Sequence, residues 1–229
     1  MLYFVLMADS FFMRMQVEAQ RMLARTMSYG ITNYRYPAGR RNSFSTALDI
    51  TGRIPTRTTP LEVLELLQFA QACQKLPGDM AEAGVYRGST AAVMLSVTDK
   101  RLHLFDTFEG LPESEGSFKR GEYAGSLAEV QANLSQWKER TEYHPGMFPA
   151  SASGLENLRF SFVHLDLDLY QSTLDSLGWF WPRMNVGGVI LSHDYPSSDG
   201  VARAFQEFLD PLNVPCFPLA GQNCVVVKT

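Results

Sequence analysis

Hydrophobic residues from position 58 onward fall into two alternating patterns. Short apolar runs bounded by glycine or charged residues predict buried strands, whereas longer segments whose apolar residues recur every three or four positions predict amphipathic helices. Regular alternation of the two predicts a mainly parallel, doubly wound α/β sheet. The predicted strands are residues 80–83, 102–106, 142–144, 160–165 and 188–191, with a closing pair at 214–219 and 224–227.

Capping residues mark the predicted helix starts. Residues 59–62 have the capping-box pattern with proline at the first helical position, and residues 126–129 form a second box. Asp168 and Gln171 have the same spacing, so a structural role at the start of another helix is favoured for Asp168. Asp199 is predicted to cap the helix that follows the fifth strand.

The N-terminal part of the chain gives weaker signals. Residues 11–27 predict an amphipathic helix, and residues 29–54 are rich in turn formers. The apolar start, 1–7, is too short to span a bilayer, and we expect it to pack on the domain or on a partner subunit. The chain is therefore expected to be a single domain without membrane contact, with an N-terminal helical or lid extension (1–57) and a core (58–229).

Composition narrows the class of partner and the compartment. Apolar residues make up 45% of the chain and charged residues 19%, as in globular proteins. The net charge of −4, without a basic block, argues against nucleic acid, because phosphate binding depends on clustered lysine and arginine. Cys73, Cys216 and Cys224 lack metal-ligand spacing and suit a reducing cytoplasm.

A glycine turn follows the first predicted strand, and a carboxylate ends the second. Glu82, Gly84 and Gly88 form the pattern E-x-G-x-x-x-G, and Asp106 ends the next strand. This arrangement is typical of a Rossmann-like sheet that binds a ribose-bearing cofactor. Because the pyrophosphate pattern G-x-G-x-x-G and a Walker lysine are absent, S-adenosylmethionine is favoured over NAD or ATP. The structural alternatives are that Glu82 accepts backbone N–H groups of the turn and that Asp106 caps a turn with Thr107.

Ionisable side chains also stand at the predicted ends of the fourth and fifth strands. Asp166 follows one strand, and His193 and Asp194 follow the other. If these strands are neighbours, about 4.8 Å apart, the two carboxylates can share one cation, and oxygen ligands suit Mg²⁺. His193 has three interpretations: a packed residue, a metal ligand, or a general base near neutral pH. His103 and His164 lie inside strands and are expected to be structural.

Residues 108–125 are polar, glycine-rich and too long for an ordinary connection, so they predict a lid. Its acidic residues are expected to form a solvated face: Glu109, Glu113, Glu115 and Glu122. Nearby aromatic residues either line a substrate pocket or pack the lid: Phe118, Tyr123, Tyr143 and Phe148.

Four segments carry a resemblance to a known family: Ala81-Glu-Ala-Gly-Val-Tyr-Arg-Gly-Ser, Phe105-Asp-Thr-Phe-Glu-Gly-Leu-Pro, His164-Leu-Asp-Leu-Asp-Leu-Tyr-Gln-Ser-Thr and Gly187-Gly-Val-Ile-Leu-Ser-His-Asp-Tyr. With the helix from Asp199, the region resembles the macrocin O-methyltransferase (TylF-type) family over roughly residues 45–215. These S-adenosylmethionine-dependent enzymes methylate sugar hydroxyls of macrolide and aminocoumarin natural products. The resemblance implies a class I methyltransferase fold, a seven-stranded, mainly parallel sheet with helices on both faces and an antiparallel last strand.

The resemblance also implies a divalent metal, Mg²⁺ in the family, held by the acid matching Asp166 and by an Asp-Asp pair after the fifth strand. Asp194 matches the second Asp of that pair, and His193 replaces the first. Imidazole is a poorer ligand for Mg²⁺ than carboxylate but suits Mn²⁺ and other transition metals. Either the metal is retained with an altered preference, which the two matching acids favour, or it is lost and His193 acts as the base.

These inferences define the expected function. The chain is expected to be a metal-assisted, S-adenosylmethionine-dependent O-methyltransferase that acts on a hydroxyl of a sugar or glycosylated small molecule. Asp166, His193 and Asp194 are expected to present that hydroxyl or vicinal diol, and Asp166 or His193 to take its proton. The expected cofactor-binding residues are Glu82, Gly84, Tyr86, Gly88, Ser89, Thr90, Asp106, Thr107 and Asp166. We expect a cytoplasmic homo-oligomer. The alternatives are a catechol or other small-molecule acceptor, an NAD-dependent oxidoreductase, and an S-adenosylmethionine-binding protein that has lost catalysis.

Overall fold

The computed structural model describes residues 43–229, so the predicted helix at 11–27 and the apolar start at 1–7 lie outside the described residues. The strands are β1 (Asp79–Ala83), β2 (Leu102–Asp106), β3 (Thr141–Pro145), β4 (Phe160–Leu165), β5 (Met184–Ser192), β6 (Phe217–Pro218) and β7 (Cys224–Val227). The α-helices are α1 (Ser43–Arg53), α2 (Pro60–Ala72), α3 (Ser89–Val97), α4 (Leu127–Asn133), α5 (Tyr170–Phe180) and α6 (Asp199–Leu209). Among these described helices, none is both long and apolar enough to cross a bilayer.

The seven strands form one sheet in the order β3-β2-β1-β4-β5-β7-β6. Strands β1 to β5 run parallel to one another, and β7 is antiparallel to both β5 and β6. The predicted doubly wound, seven-stranded sheet with an antiparallel last strand is therefore confirmed. Successive strands are added on one side of β1 as far as β3 and on its other side from β4 onward, so the strand order reverses between β1 and β4. Parallel sheets bind ligands at such a point, beyond the carboxyl ends of the strands.

Helices cover both faces of this sheet. Apolar residues of α1, α2 and α3 form one buried layer with side chains such as Leu104, and residues of α5 and α6 form a second layer with Phe105. In the second layer the ring of Phe148 lies 4.9 Å from that of Phe105 and 4.9 Å from that of Phe180. Each fully buried ring of this kind stabilises the fold by about 1.5–3 kcal/mol. The packed aromatic residues fix the end of β2 against α5.

A capping box begins α2 as predicted, whereas the box at α4 is only half formed. The Thr59 N–H donates to Glu62 Oε2 at 2.7 Å, and the Glu62 N–H donates to Thr59 Oγ1 at 3.5 Å. At α4 the Glu129 N–H donates to Ser126 Oγ at 3.2 Å, but the Glu129 carboxylate lies 3.4 Å from Arg87 Nε. The arginine competes for the carboxylate that would have completed the second box.

Two other predicted helix starts are wrong. Ser198, not Asp199, caps α6, and its hydroxyl accepts from the Val201 N–H at 3.3 Å. The N-cap position of α5 is Leu169, and no side chain caps it. Asp168 stands before it with a left-handed φ of +63°. This backbone turn directs the Asp168 carboxyl group towards the ionisable residues at the strand ends instead of the first turn of α5.

Candidate functional site

A cavity of about 290 Å³ lies at the carboxyl ends of the parallel strands. It contains most of the residues that the sequence predicted for the site. Those that line it are Gly84, Tyr86, Ser89, Thr90, Asp106, Thr107, Asp166, His193 and Asp194. Two other predicted residues, Glu82 and Gly88, are not part of its lining.

Gly84 allows the loop after β1 to touch the end of β4. Its φ is +86°, and a Cβ atom here would lie 1.8 Å from the backbone oxygen of Asp166. The Asp166 N–H in turn donates to the Ala83 oxygen at 2.9 Å, so the two strand ends stay joined. Only glycine fits this approach. Gly88, with a φ of +82°, is the N-cap of α3 and shapes the loop without lining the cavity.

Asp106 joins the end of β2 to the glycine loop, residues 84–88 between β1 and α3. Its Oδ2 accepts from the N–H groups of Val85 at 2.6 Å and Tyr86 at 3.2 Å, and its Oδ1 accepts from the Phe108 N–H at 2.7 Å. Burial raises the pKa of Asp106, although these N–H groups oppose the shift. Because two carboxylate oxygens offer about four acceptor positions, a ribose hydroxyl can still donate to Asp106 from the cavity.

Glu82 is fully buried beneath the glycine loop. Its Oε1 lies 2.8 Å from Nδ1 of His164, which sits inside β4 as predicted. Burial raises the pKa of Glu82, whereas hydrogen bonding from His164 and Thr90 opposes the shift. Glu82 does not line the cavity, whereas its neighbour Thr90 does. A direct contact between Glu82 and a cofactor therefore stays a prediction.

His193 brings the ionisable residues of two neighbouring strand ends together. Strands β4 and β5 are adjacent, and the backbone N–H of His193 donates to the backbone oxygen of Leu165 at 2.8 Å. Its Nδ1 lies 3.2 Å from Asp166 Oδ1 and 3.1 Å from Asp194 Oδ2. One donor atom of each of the three residues lies within 4.8 Å of the others. Two carboxylates and an imidazole at this spacing fit a divalent cation.

The local charges shift the proton affinity of the cluster. Burial alone would lower the pKa of His193, but the carboxylates of Asp166, Asp194 and Glu62 raise it well above its ordinary value. Burial and the neighbouring carboxylates of Asp166 and Asp194 raise the pKa of Asp168 to about 9. Asp168 also lines the cavity. It is a site residue that the capping interpretation missed, and the alternation Asp166-Leu-Asp168 was the available signal.

The predicted lid, residues 108–125, contains little regular structure, with a short bridge between Glu115 and Phe118. The predicted solvated face is correct for Glu109, Glu113 and Glu122, which are exposed. It is wrong for Glu115, because the Tyr170 N–H at the start of α5 donates to its two carboxylate oxygens at 3.1 and 3.2 Å. A carboxylate is favoured at a helix N-terminus by the unpaired N–H groups and the helix dipole.

One end of the predicted lid contacts the loop after β1 directly, and the other end contacts it through Asp106. The lid begins at Phe108, bonded to Asp106, and ends at Gly125, where a Cβ atom would lie 2.0 Å from the Tyr86 oxygen. The rings of Tyr86 and Tyr123 meet edge to face at 6.2 Å. The aromatic residues Phe118, Tyr123 and Phe148 line the cavity, whereas Tyr143 packs against the first apolar layer.

Several lining residues gave no signal in the sequence, because they come from irregular segments without a motif. Those that sequence reasoning missed include Thr56, Arg57, Thr58, Met147 and Gln222. Gln222 belongs to the turn between β6 and β7, and the first three precede α2. Their position in the site follows only from the tertiary fold.

Comparison with known proteins adds a family match. A family model described as macrocin-O-methyltransferase (TylF) matches residues 60–217. The chain is also similar to an 8-demethyl-8-(2,3-dimethoxy-alpha-L-rhamnosyl)-tetracenomycin-C 4'-O-methyltransferase of Streptomyces olivaceus. The two are 32% identical over 140 residues, which cover 52% of this chain and 54% of that protein. The chain spans about half the length of the curated relatives it matches.

Solved structures share the fold. The O-methyltransferase NovP has a TM-score of 0.68 at 20% identity, over 96% of this chain and 99% of that chain. An O-methyltransferase from Bacillus cereus, solved in complex with SAH, has a TM-score of 0.58 at 16% identity, over 93% of this chain and 100% of that chain. At these identities the likeness establishes the architecture alone.

Proposed function

Because this chain belongs to the macrocin O-methyltransferase (TylF) family, we propose that it transfers a methyl group from S-adenosylmethionine to a hydroxyl group of a sugar or glycosylated small molecule. One observation carries the proposal: the glycine loop and the ionisable cluster meet in a single cavity, where Gly84 touches the backbone of Asp166. A methyl donor held by the loop therefore lies beside groups that can orient and deprotonate an alcohol.

The donor site is built from the loop and the end of β2. We assign the ribose hydroxyls to Asp106, because its carboxylate faces the cavity and retains acceptor capacity. The first turn of α3, with Ser89 and Thr90, offers N–H and hydroxyl groups to the amino-acid part of the cofactor. Thr107 and Gly84 complete the wall. The acidic lining also suits the positive charge of the sulfonium.

The reaction is an in-line displacement. As the acceptor oxygen forms its bond to the methyl carbon, the bond between that carbon and sulfur breaks, and S-adenosylhomocysteine leaves. The hydroxyl proton passes to a carboxylate of the cluster. Because the sulfonium is already a good electrophile, the protein contributes chiefly by alignment, for which idealised estimates reach about 7–11 kcal/mol.

Asp166 is the candidate base, because it lines the cavity beside His193. Asp168 also lines the cavity, but its raised pKa keeps its carboxyl group protonated near neutral pH, so it can donate a hydrogen bond but not accept a proton. His193 fits this role less well than the sequence suggested, since the surrounding carboxylates hold its proton. Asp166, His193 and Asp194 would hold a divalent cation, which would supply polarisation of the acceptor hydroxyl.

A binding and turnover experiment tests the proposal. Calorimetry should detect S-adenosylmethionine and S-adenosylhomocysteine but not NAD, and incubation with rhamnosylated acceptors should release S-adenosylhomocysteine. A catechol is tested in parallel, because the aromatic residues Phe118, Tyr123 and Phe148 also suit a planar acceptor. Absence of adenosyl binding rejects the proposal. Binding without transfer to any diol, with or without added Mg²⁺ or Mn²⁺, favours a protein that has lost catalysis.

Glu115 provides a test of lid closure. S-adenosylhomocysteine should slow hydrogen exchange at Leu111 and Gly121, which are bonded across the lid. Glu115→Gln removes the negative charge at the start of α5 and should speed that exchange by about 2–5-fold, as expected for a helix-terminus interaction of about 0.3–1 kcal/mol. Glu113→Gln, in an exposed lid residue, is the control. Equal exchange in the two variants would remove Glu115 from lid closure.

A further inference from the structure

The imidazole of His193 is enclosed between the strand ends and α2. Its side chain is 10% exposed, and both ring nitrogens lack a well-aligned hydrogen bond among the described residues. Nδ1 faces Asp166 and Asp194, whereas Nε2 lies 3.4 Å from Oε2 of Glu62. The buried imidazole therefore directs Nδ1, which lacks a hydrogen-bond partner among the described residues, at the carboxylates of Asp166 and Asp194.

Glu62 is itself held rigidly. It is 2% exposed, and its Oε2 accepts from the Thr59 N–H at 2.7 Å within the capping box of α2. Its Oε1 accepts from the Gln222 N–H at 3.1 Å, in the turn between β6 and β7. With both oxygens fixed by backbone groups, Glu62 presents a carboxylate to Nε2 at a defined position.

Hydrogen-bond chemistry then decides which ring nitrogen of His193 carries the proton. An ionised carboxylate only accepts, so it favours the tautomer of a neutral imidazole that carries the proton on the facing nitrogen. The carboxylates of Asp166 and Asp194 favour a proton on Nδ1 in the same way. A cation bound between them would displace that proton, and Glu62 would then keep the proton on Nε2 and leave the Nδ1 lone pair available to the cation. Carboxylates that orient metal-binding histidines in this way typically change metal affinity by about 10–100-fold.

We propose that Glu62 is a positioning residue that makes His193 Nδ1 the third donor beside Asp166 and Asp194, and that the resulting site binds Mn²⁺ in preference to Mg²⁺. The inference rests on the proposed function, since it deepens the role of the same ionisable cluster. The preference follows from the donor set, because imidazole suits transition metals whereas Mg²⁺ favours oxygen ligands alone.

Glu65 supplies a matched control. It lies one helical turn after Glu62 and holds the same β6–β7 turn through the Gly221 N–H at 3.1 Å and Asn223 Nδ2 at 2.8 Å. The structure gives no ion pair between Glu65 and His193. Glu65→Gln therefore perturbs the shared turn without touching the imidazole, whereas Glu62→Gln perturbs both.

The experiment titrates the chelator-treated, full-length protein with MnCl₂ and with MgCl₂ by calorimetry. The wild type should bind Mn²⁺ at least about 10-fold more tightly than Mg²⁺, and Glu62→Gln should weaken Mn²⁺ binding by about 10–100-fold. Glu65→Gln should leave both affinities within about threefold of the wild type. Electron spin echo spectra of bound Mn²⁺ should show a directly coordinated nitrogen in the wild type and none in His193→Asp, a variant that should also shift the preference towards Mg²⁺.

The outcomes separate this inference from the proposed function. Tighter binding of Mg²⁺, no nitrogen signal in the wild type, or equal behaviour of Glu62→Gln and Glu65→Gln would overturn the role of Glu62. If Glu62→Gln does not fold, the wild-type nitrogen signal and the Mn²⁺/Mg²⁺ ratio decide the matter. S-adenosylhomocysteine binding is measured on the same samples. If the wild type does not bind it, the methyltransferase proposal is rejected, and the metal titrations still decide the role of Glu62 separately.

Discussion

Replacing Asp166 with asparagine is expected to lower the rate of methyl transfer by about 10²–10⁴-fold, the range for loss of a positioned proton acceptor. The Asp166 side chain lines the cavity, and its Oδ1 lies 3.2 Å from His193 Nδ1. Asparagine has nearly the same shape but neither the charge nor the basicity of the carboxylate. The contact between the Asp166 backbone and Gly84 stays in place, so S-adenosylhomocysteine should bind within about threefold of the wild type.

Asp175→Asn is the matched control for this variant. Asp175 is an exposed carboxylate on α5, away from the cavity lining, so its loss should leave both turnover and cofactor binding unchanged. Turnover is followed by release of S-adenosylhomocysteine, and binding by calorimetry. If Asp166→Asn retains activity comparable to Asp175→Asn, the acceptor-side role of Asp166 is rejected.

Gly84→Ala is expected to have the largest effect on stability. The new methyl group would lie 1.8 Å from the Asp166 oxygen, at a residue whose φ is +86°. Left-handed strain and overpacking together should lower the free energy of unfolding by about 2–5 kcal/mol. Because relief of the clash must move the glycine loop away from β4, S-adenosylhomocysteine binding should also be lost.

Gly154→Ala separates the two causes. Gly154 has almost the same backbone angle, φ +87°, but an added Cβ would meet no atom within 4 Å beyond its immediate chain neighbours. This variant should lose only the left-handed term, about 1–2 kcal/mol, and should bind the cofactor normally. Urea unfolding gives the two free energies. Equal destabilisation in the two variants would show that the strand-end contact at Gly84 does not constrain the loop.

The sequence predicted the sheet because local pattern and tertiary placement agree there. Apolar runs such as Phe160–Leu165 are buried on both faces, and the carboxyl ends of parallel strands must meet at one edge. Asp106, Asp166 and Asp194 were therefore found from their positions after strands. Spacing alone could not place Asp168. Its sequence matches a capping box, but no side chain caps α5, and the left-handed backbone of Asp168 turns its side chain into the cavity.

Other parts of the site depend on contacts between distant segments. Glu62 was recognised as a capping residue, and the structure gives it a second contact with His193, 131 positions away by their residue numbers. Nothing in the local pattern of α2 indicates that partner. Glu115 was likewise assigned to a solvated surface because acidic loop residues usually are exposed, and its bond to Tyr170 follows only from the path of the lid. Single-sequence periodicity carries no information about such pairs.

The backbone contact between Gly84 and Asp166 has a consequence for how new substrate preferences could arise. In the proposed function, main-chain atoms of the adjacent strands β1 and β4 set the relative position of the methyl donor and the acceptor, and side-chain replacement elsewhere does not move these atoms. Variation at Arg57, Phe118, Tyr123 or Met147, all on irregular segments of the rim, can therefore reshape the acceptor compartment while the span across which the methyl group travels remains constant.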